Sequence, residues 1–345
     1  MMLKRTAFIL TCTAASALVA VPLLAQQAER PSRECIREIV QLCGRDRSQM
    51  RACLQEKASE LSEGCAAEVR ERATSRRGNR SGNTEQAAPA IRPDRTVFYG
   101  DHQRQQIEVF APDGAVDELP LVLHIHGGGW TAGDHKRVQS KPAYFTGQNY
   151  YFASTGYRLM PGAPVEEQAR DIGAAIRALR GQASSIGFDP DRIVLMGHSA
   201  GAHLAALVST DPQYAGAAFS AIRGVILLDG AGYDIADSIA NAERQAAGIY
   251  SSVFGDDPAR HMALSSVTHV GSPDAPNWLA LYVRERAQSK KQSEALVSGL
   301  SNAGADARAV AIDNTDHGRM NREIGTEAGS QQTAAIGTFL AEILP

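Results

Sequence analysis

The chain has 345 residues, 43% of them hydrophobic and 21% charged, with a formal net charge of -3 at pH 7. That much apolar material with so little net charge excludes a wholly disordered protein and allows a sizeable core. The near balance of charge also excludes a dedicated nucleic-acid binder, which needs a concentrated basic surface.

Met1 to Ala25 has the layout of a secretory signal peptide. Lys4 and Arg5 form a positive start, an apolar stretch runs from Ala7 to Leu24, and Ala25 suits a cleavage site. Thr11, Thr13 and Ser16 interrupt a stretch that is barely long enough to span a bilayer, so removal is expected rather than retention as an anchor. Cys12 follows Ile9, Leu10 and Thr11 as in a lipoprotein box, but the apolar run continues past it, which argues against lipidation. A periplasmic or secreted protein without a stable membrane span is the expectation.

Four cysteines then cluster at Cys35, Cys43, Cys53 and Cys65, and none follows. An even, clustered set in an exported chain reads as two disulfides. Zinc sites favour closer cysteine pairs and histidine, which this segment lacks, so no metal is expected. Cys35, Ile39, Leu42 and Cys43 share a helical period, as do Cys53, Leu54, Leu61 and Cys65, with a polar break from Gly44 to Ser48. Two antiparallel helices over 30–73 favour the nested pairing, Cys35 with Cys65 and Cys43 with Cys53, among three possible connectivities. The segment resembles small cysteine-rich repeats of exported proteins; the sequence specifies no protein partner for it. From 74 to 93 the polar run around Arg76-Arg77-Gly78-Asn79-Arg80 has no apolar period and reads as a flexible linker.

From 94 to 345 short apolar runs alternate with helical patterns. Strands are expected at Ile107 to Phe110, Leu119 to Ile125, Tyr150 to Tyr157, Arg192 to Met196, Ile222 to Leu228, Trp278 to Val283 and Ala307 to Ile312. Helices are expected at Val165 to Arg180, Ala202 to Val208, Ser289 to Leu300 and Gln331 to Leu344. Such alternation implies an α/β fold, a doubly wound, mostly parallel sheet covered on both faces. Residues 231–276 lack a clear core strand and leave a strand end, so they read as a cap over a ligand site.

Gly197-His198-Ser199-Ala200-Gly201 lies between an expected strand and an expected helix. That is the setting of a nucleophile elbow, where flanking glycines allow a turn tight enough to lift the Ser199 hydroxyl off the sheet. The strand Leu119 to Ile125 ends in His126-Gly127-Gly128-Gly129-Trp130, a run free of Cβ atoms. The N–H groups of Gly128, Gly129 and Ala200 could form an oxyanion hole. A phosphate loop would need a following Lys-Ser/Thr or a G-x-G-x-x-G pattern, and neither is present.

In these motifs, with Tyr157-Arg158-Leu159 between them and Ala202-His203-Leu204 after the elbow, the region resembles an α/β-hydrolase of the esterase/lipase group. The branch is that of kynurenine formamidase-like and polysaccharide-acyl esterase-like members. The resemblance implies a Ser–acid–His order. His317, the only histidine after His269, is the expected base. The family's spacing before Gln292-Ser293 points to Glu285 as the acid, with Asp313 and Asp316 as fallbacks. His126 and Gly127 are expected to support the glycine loop, Trp130 and Tyr233 to line the pocket, and His198 and His203 to be packed.

The expected activity is hydrolysis of a small-molecule or polysaccharide-linked carboxylic ester through an acyl-enzyme, with no cofactor. Formamide hydrolysis is the alternative within the fold. A catalytically retired binding or scaffold protein is the alternative of another class.

Overall fold

A computed structural model describes residues 32–43, 53–54, 57, 60–69, 92–115, 118–241 and 244–344. The expected signal segment, Cys12 and nearly all of the expected linker lie outside them. The described residues divide into two compact units, up to 89 and from 90 onward.

In the first unit helix α1 (Arg33–Cys43) carries Cys35 and Ile39 one turn apart, and residues 63–69 are also helical. Cys35 bonds Cys65 and Cys43 bonds Cys53, the nested arrangement. Cys35, Ile39, Leu61 and Cys65 are the buried apolar centre. So few side chains bury little area, and crosslinks of about 2–4 kcal/mol each supply much of the unit's stability.

The second unit is an eight-stranded sheet: β1 (Arg95–Phe98), β2 (Gln106–Phe110), β3 (Leu119–Ile125), β4 (Tyr151–Thr155), β5 (Phe188–His198), β6 (Ile222–Leu228), β7 (Asn277–Val283) and β8 (Asp306–Ile312). Its order is β1-β2-β4-β3-β5-β6-β7-β8. Strand β2 pairs antiparallel with both β1 and β4, and β3 through β8 run parallel. Side chains alternate between two cores, as the pleat requires. Leu121, Leu123, Ile125, Ile193 and Leu195 enter one. Val122, Val194, Met196, Ile226 and Leu228 enter the other.

Helices seal each face. On the first lie α3 (Val165–Ile186), α4 (Ala200–Thr210) and α8 (Ala287–Asn302), contributing among others Ile172, Ile176, Leu204, Leu296 and Leu300. On the second lie α2 (Lys141–Gly147), α9 (His317–Arg322) and α10 (Ser330–Ile343), with Phe145, Met320, Ile336 and Phe339. Between β6 and β7 come three short helices, α5 (Ile235–Asn241), α6 (Arg244–Phe254) and α7 (Pro258–Leu264). The architecture is the expected α/β one. Helix α3 runs past Arg180 because its stop signal is Gly187, left-handed at φ 107, whose N–H returns to Ala183 O. Among the described residues no helix is long and apolar enough to cross a membrane.

Candidate active site

The parallel strands deliver the loops after β3, β5, β6 and β8 to one sheet edge, where open α/β sheets bind ligands. Ser199 follows β5 directly and adopts φ 55, ψ -120, a strained conformation for a residue with a Cβ. The turn is possible because Gly197 and Gly201 carry no side chain. A Cβ on Gly197 would lie 2.2 Å from Gly201 O, and one on Gly201 would lie 2.2 Å from Ile125 O.

His317 begins α9 just after β8. Its Nε2 is 3.0 Å from Ser199 Oγ and its Nδ1 is 2.7 Å from Asp229 Oδ2. In the tautomer these contacts call for, Ser199 donates to Nε2 and Nδ1–H donates to Asp229. The ring is also held from behind, since His198 Nε2–H donates to His317 O at 2.8 Å.

Asp229 follows β6 and is 1% exposed. Burial opposes its ionisation. The His317 hydrogen bond, the Arg286 charge, Ser289 and the Val283 N–H together outweigh burial and hold its pKa down at about 2. Val283 N–H reaches Asp229 Oδ1 at 3.1 Å, and Arg286 Nη1 donates to Asp229 Oδ2. Arg286 Nη1 is also 2.7 Å from His317 Nδ1. Both are donors in this tautomer, so what joins them is their common acceptor, Asp229 Oδ2.

Glu285 is not at His317. It is exposed in the turn after β7 and makes no hydrogen bond or ion pair among the described residues. The physical reason is direction: the turn sends Arg286, rather than Glu285, to the acid after β6. The two fallbacks are engaged elsewhere. Asp313 pairs with Arg284, while Asp316 caps α9 by accepting from Gly318 and Arg319 N–H at 2.8 Å each. Sequence reasoning missed Asp229. The available signal was an acid directly after the buried strand Ile222–Leu228 and next to Gly230.

The glycine run lies against the serine: a Cβ on Gly127 would stand 3.0 Å from Ser199 Cβ. Gly128, at φ 135, has a conformation open mainly to glycine. Gly128, Gly129 and Ala200 line the same cavity as Ser199, about 610 Å³ in volume. Ala200 is the first residue of α4, so its N–H has no acceptor within that helix.

His126 stacks on Tyr157 with ring centroids 4.3 Å apart and donates from Nδ1 to Gly127 O at 2.8 Å. Burial drives its pKa down to about 4 against that bond, leaving the ring neutral. Trp130 lines the cavity and donates from Nε1 to His203 Nδ1 at 3.2 Å. His203 Nε2–H in turn donates to Leu264 O at 2.8 Å. This buried chain links the glycine loop, α4 and the segment after β6. Tyr233 does not line the cavity. It is fully buried with its hydroxyl against Gly230, where a Cβ would come within 2.2 Å of Tyr233 Oη. Ile249 and Tyr250 of α6 line the cavity instead. Among the described residues no three His, Cys, Asp or Glu side chains are grouped to hold a metal.

Residues 107–223 match the family described as BD-FAE. The chain is 30% identical over 119 residues to a probable isoprenylcysteine alpha-carbonyl methylesterase of Arabidopsis thaliana, covering 34% of this chain and 25% of that one. It therefore spans a quarter of that plant relative's length. It is 27% identical over 239 residues to the kynurenine formamidase of Danio rerio, covering 68% of this chain and 78% of the relative. Among solved structures, esterase 2 of Thermogutta terrifontis, phosphonylated by sarin, superposes with a TM-score of 0.63 at 20% identity, covering 73% of this chain and 96% of that one. Sheet order and superposition agree: the chain has the α/β-hydrolase fold, shared with the esterase structure it superposes on.

Proposed function

We propose that the protein is a serine hydrolase of carboxylic esters, with Ser199 as nucleophile, His317 as base and Asp229 as the acid. One observation carries this reading: the hydrogen-bonded series Asp229 Oδ2, His317 Nδ1, His317 Nε2, Ser199 Oγ at 2.7 and 3.0 Å, opening into the cavity. Ser199 Oγ attacks the ester carbonyl as His317 Nε2 takes its proton. Asp229 stays ionised and stabilises the imidazolium. The N–H groups of Gly128, Gly129 and Ala200 receive the oxyanion, each worth roughly 3–4 kcal/mol if lost. His317 then gives its proton to the leaving alcohol. A water activated by the same imidazole cleaves the acyl-enzyme and releases the acid. None of these steps requires a metal or organic cofactor.

The substrate is a small-molecule or polysaccharide-linked ester. Residues 231–276 are a cap whose Ile249 and Tyr250 shape the cavity. The paired cysteines and the apolar N-terminal stretch support an exported protein, cleaved after Ala25 and acting outside the cytoplasm.

The test is labelling with a fluorophosphonate, together with hydrolysis of p-nitrophenyl acetate beside N-formylkynurenine. Label on Ser199, abolished with ester hydrolysis in Ser199→Ala, is expected. Hydrolysis surviving in Ser199→Ala overturns the serine mechanism. A kcat/KM higher for N-formylkynurenine than for the ester assigns the site to formamides.

A further inference from the structure

We propose that this site selects esters bearing a carboxylate, which Arg137 and Arg322 bind while Ile249 and Tyr250 receive the substrate's apolar part. The proposal rests on the serine-esterase reading above and adds the substrate class. It begins from the charges around the cavity. Three arginines line it, Arg137, Arg286 and Arg322, with two acids, Asp229 and Asp134. Three of these five groups are already engaged. Asp229 accepts from His317 and Arg286, which uses Arg286 as well. Asp134 Oδ1 accepts the Lys136 N–H at 2.9 Å.

Arg137 and Arg322 remain, both exposed; neither guanidinium has a hydrogen bond or close ion pair among the described residues, although the Arg322 charge lies near enough to Asp316 to help lower that acid's pKa. Arg322 also has a definite place. It folds back along α9 over Gly318, where a Cβ would meet Arg322 Nη1 at 2.2 Å. Gly318 is the residue after His317. The missing side chain thus lets a planar, five-donor cation lie one residue from the base, a geometry suited to gripping a carboxylate with two bonds.

The rest of the lining is apolar or uncharged. Ile249 is 46% exposed at the cavity and lies over Gly129, 3.6 Å from the position of a Cβ there. Tyr250 packs on Trp130 with ring centroids 5.6 Å apart. A site with an apolar wall and two unpaired guanidinium groups fits an amphiphilic anion better than a neutral short-chain ester.

The experiment uses the full chain and two pairs of esters that differ only in charge. One pair, 4-acetoxybenzoate and 4-acetoxybenzamide, carries the charge on the leaving alcohol. The other, mono-p-nitrophenyl glutarate and p-nitrophenyl glutaramate, carries it on the acyl group. In at least one pair kcat/KM should favour the anion by about tenfold to a hundredfold, the range of a charge-assisted hydrogen bond. The ratio should fall as salt rises. It should move toward one in the Arg137→Gln/Arg322→Gln variant and below one in Arg322→Glu. Wild-type protein that hydrolyses neither charged ester faster than its amide, including one that leaves both intact, overturns the proposal even if the variants do not fold. A ratio near one with Ser199→Ala inactive rejects the carboxylate preference alone. Hydrolysis persisting in Ser199→Ala rejects the reading beneath it.

Discussion

Replacing Asp229 by asparagine separates the two candidate acids most sharply. The substitution is nearly isosteric but leaves one acceptor oxygen where there were two. Asp229 Oδ1 accepts the Val283 N–H at 3.1 Å, while Oδ2 accepts from His317 at 2.7 Å and from Arg286. If the asparagine oxygen stays with Val283, its NH2 faces two donors. His317 then turns to the other tautomer, with Nδ1 accepting and Nε2 protonated toward Ser199, where it cannot take the hydroxyl proton. A tautomer fault of this kind costs about 10³–10⁴ in kcat, or roughly 4–5.5 kcal/mol of barrier. Glu285→Gln alters an exposed, unpartnered side chain and should change kcat by less than about twofold, as surface substitutions do. The assay is kcat for p-nitrophenyl acetate, normalised to sites labelled by fluorophosphonate, with thermal unfolding as a control for folding. An Asp229→Asn protein keeping more than about a tenth of its rate, or a Glu285→Gln protein losing as much as Asp229→Asn, would refute the assignment.

Three further outcomes follow from other parts of the structure. Lys141 is fully buried, its Nζ donating to Gln139 Oε1 at 3.2 Å, and burial lowers its pKa from 10.5 to about 7. Between those values the unfolded chain binds more protons, so stability rises with pH; Lys141→Met should therefore stabilise most below pH 7, on the order of 3–5 kcal/mol, with the gain fading toward pH 10.5 in urea titrations at several pH values. His203→Phe strands Trp130 Nε1 and Leu264 O without partners in the interior, which should cost about 2–4 kcal/mol, read as a lower urea midpoint. Replacing Cys35 and Cys65 by serine should destabilise the first unit by about 2–4 kcal/mol, seen as faster proteolysis within residues 32–69 at an unchanged esterase rate.

How far the sequence foretold this molecule depends on how locally each feature is encoded. Leu119–Ile125 and Ile222–Leu228 keep their expected bounds because both faces of each strand are buried and the apolar run is the signal. Edge strand Arg95–Phe98 buries only Val97, and so carries almost no signal. Ser199 and the glycine run were legible because a tight turn restricts which residues can stand in it. The acid obeys no such local rule. Any carboxylate after β6 or β7 satisfies the order Ser, acid, His, and the two strands are neighbours, with Leu228 beside Leu281. Family spacing to Gln292-Ser293 favoured the later strand. In the folded chain Gln292 instead anchors the segment after β6, accepting from Asp234 N–H at 2.8 Å and donating to Asp237. Burial is the better discriminator, because a carboxylate in water attracts an imidazolium weakly, whereas one removed from solvent interacts several-fold more strongly. A buried carboxylate must also be supplied with donors, and Asp229 has them in Val283, His317 and Arg286. Arg286 reads as a surface charge in sequence, yet it supplies the countercharge that lets an acid 1% exposed remain ionised beside the base. Glu285, one residue earlier and facing water, lacks the means to do the same.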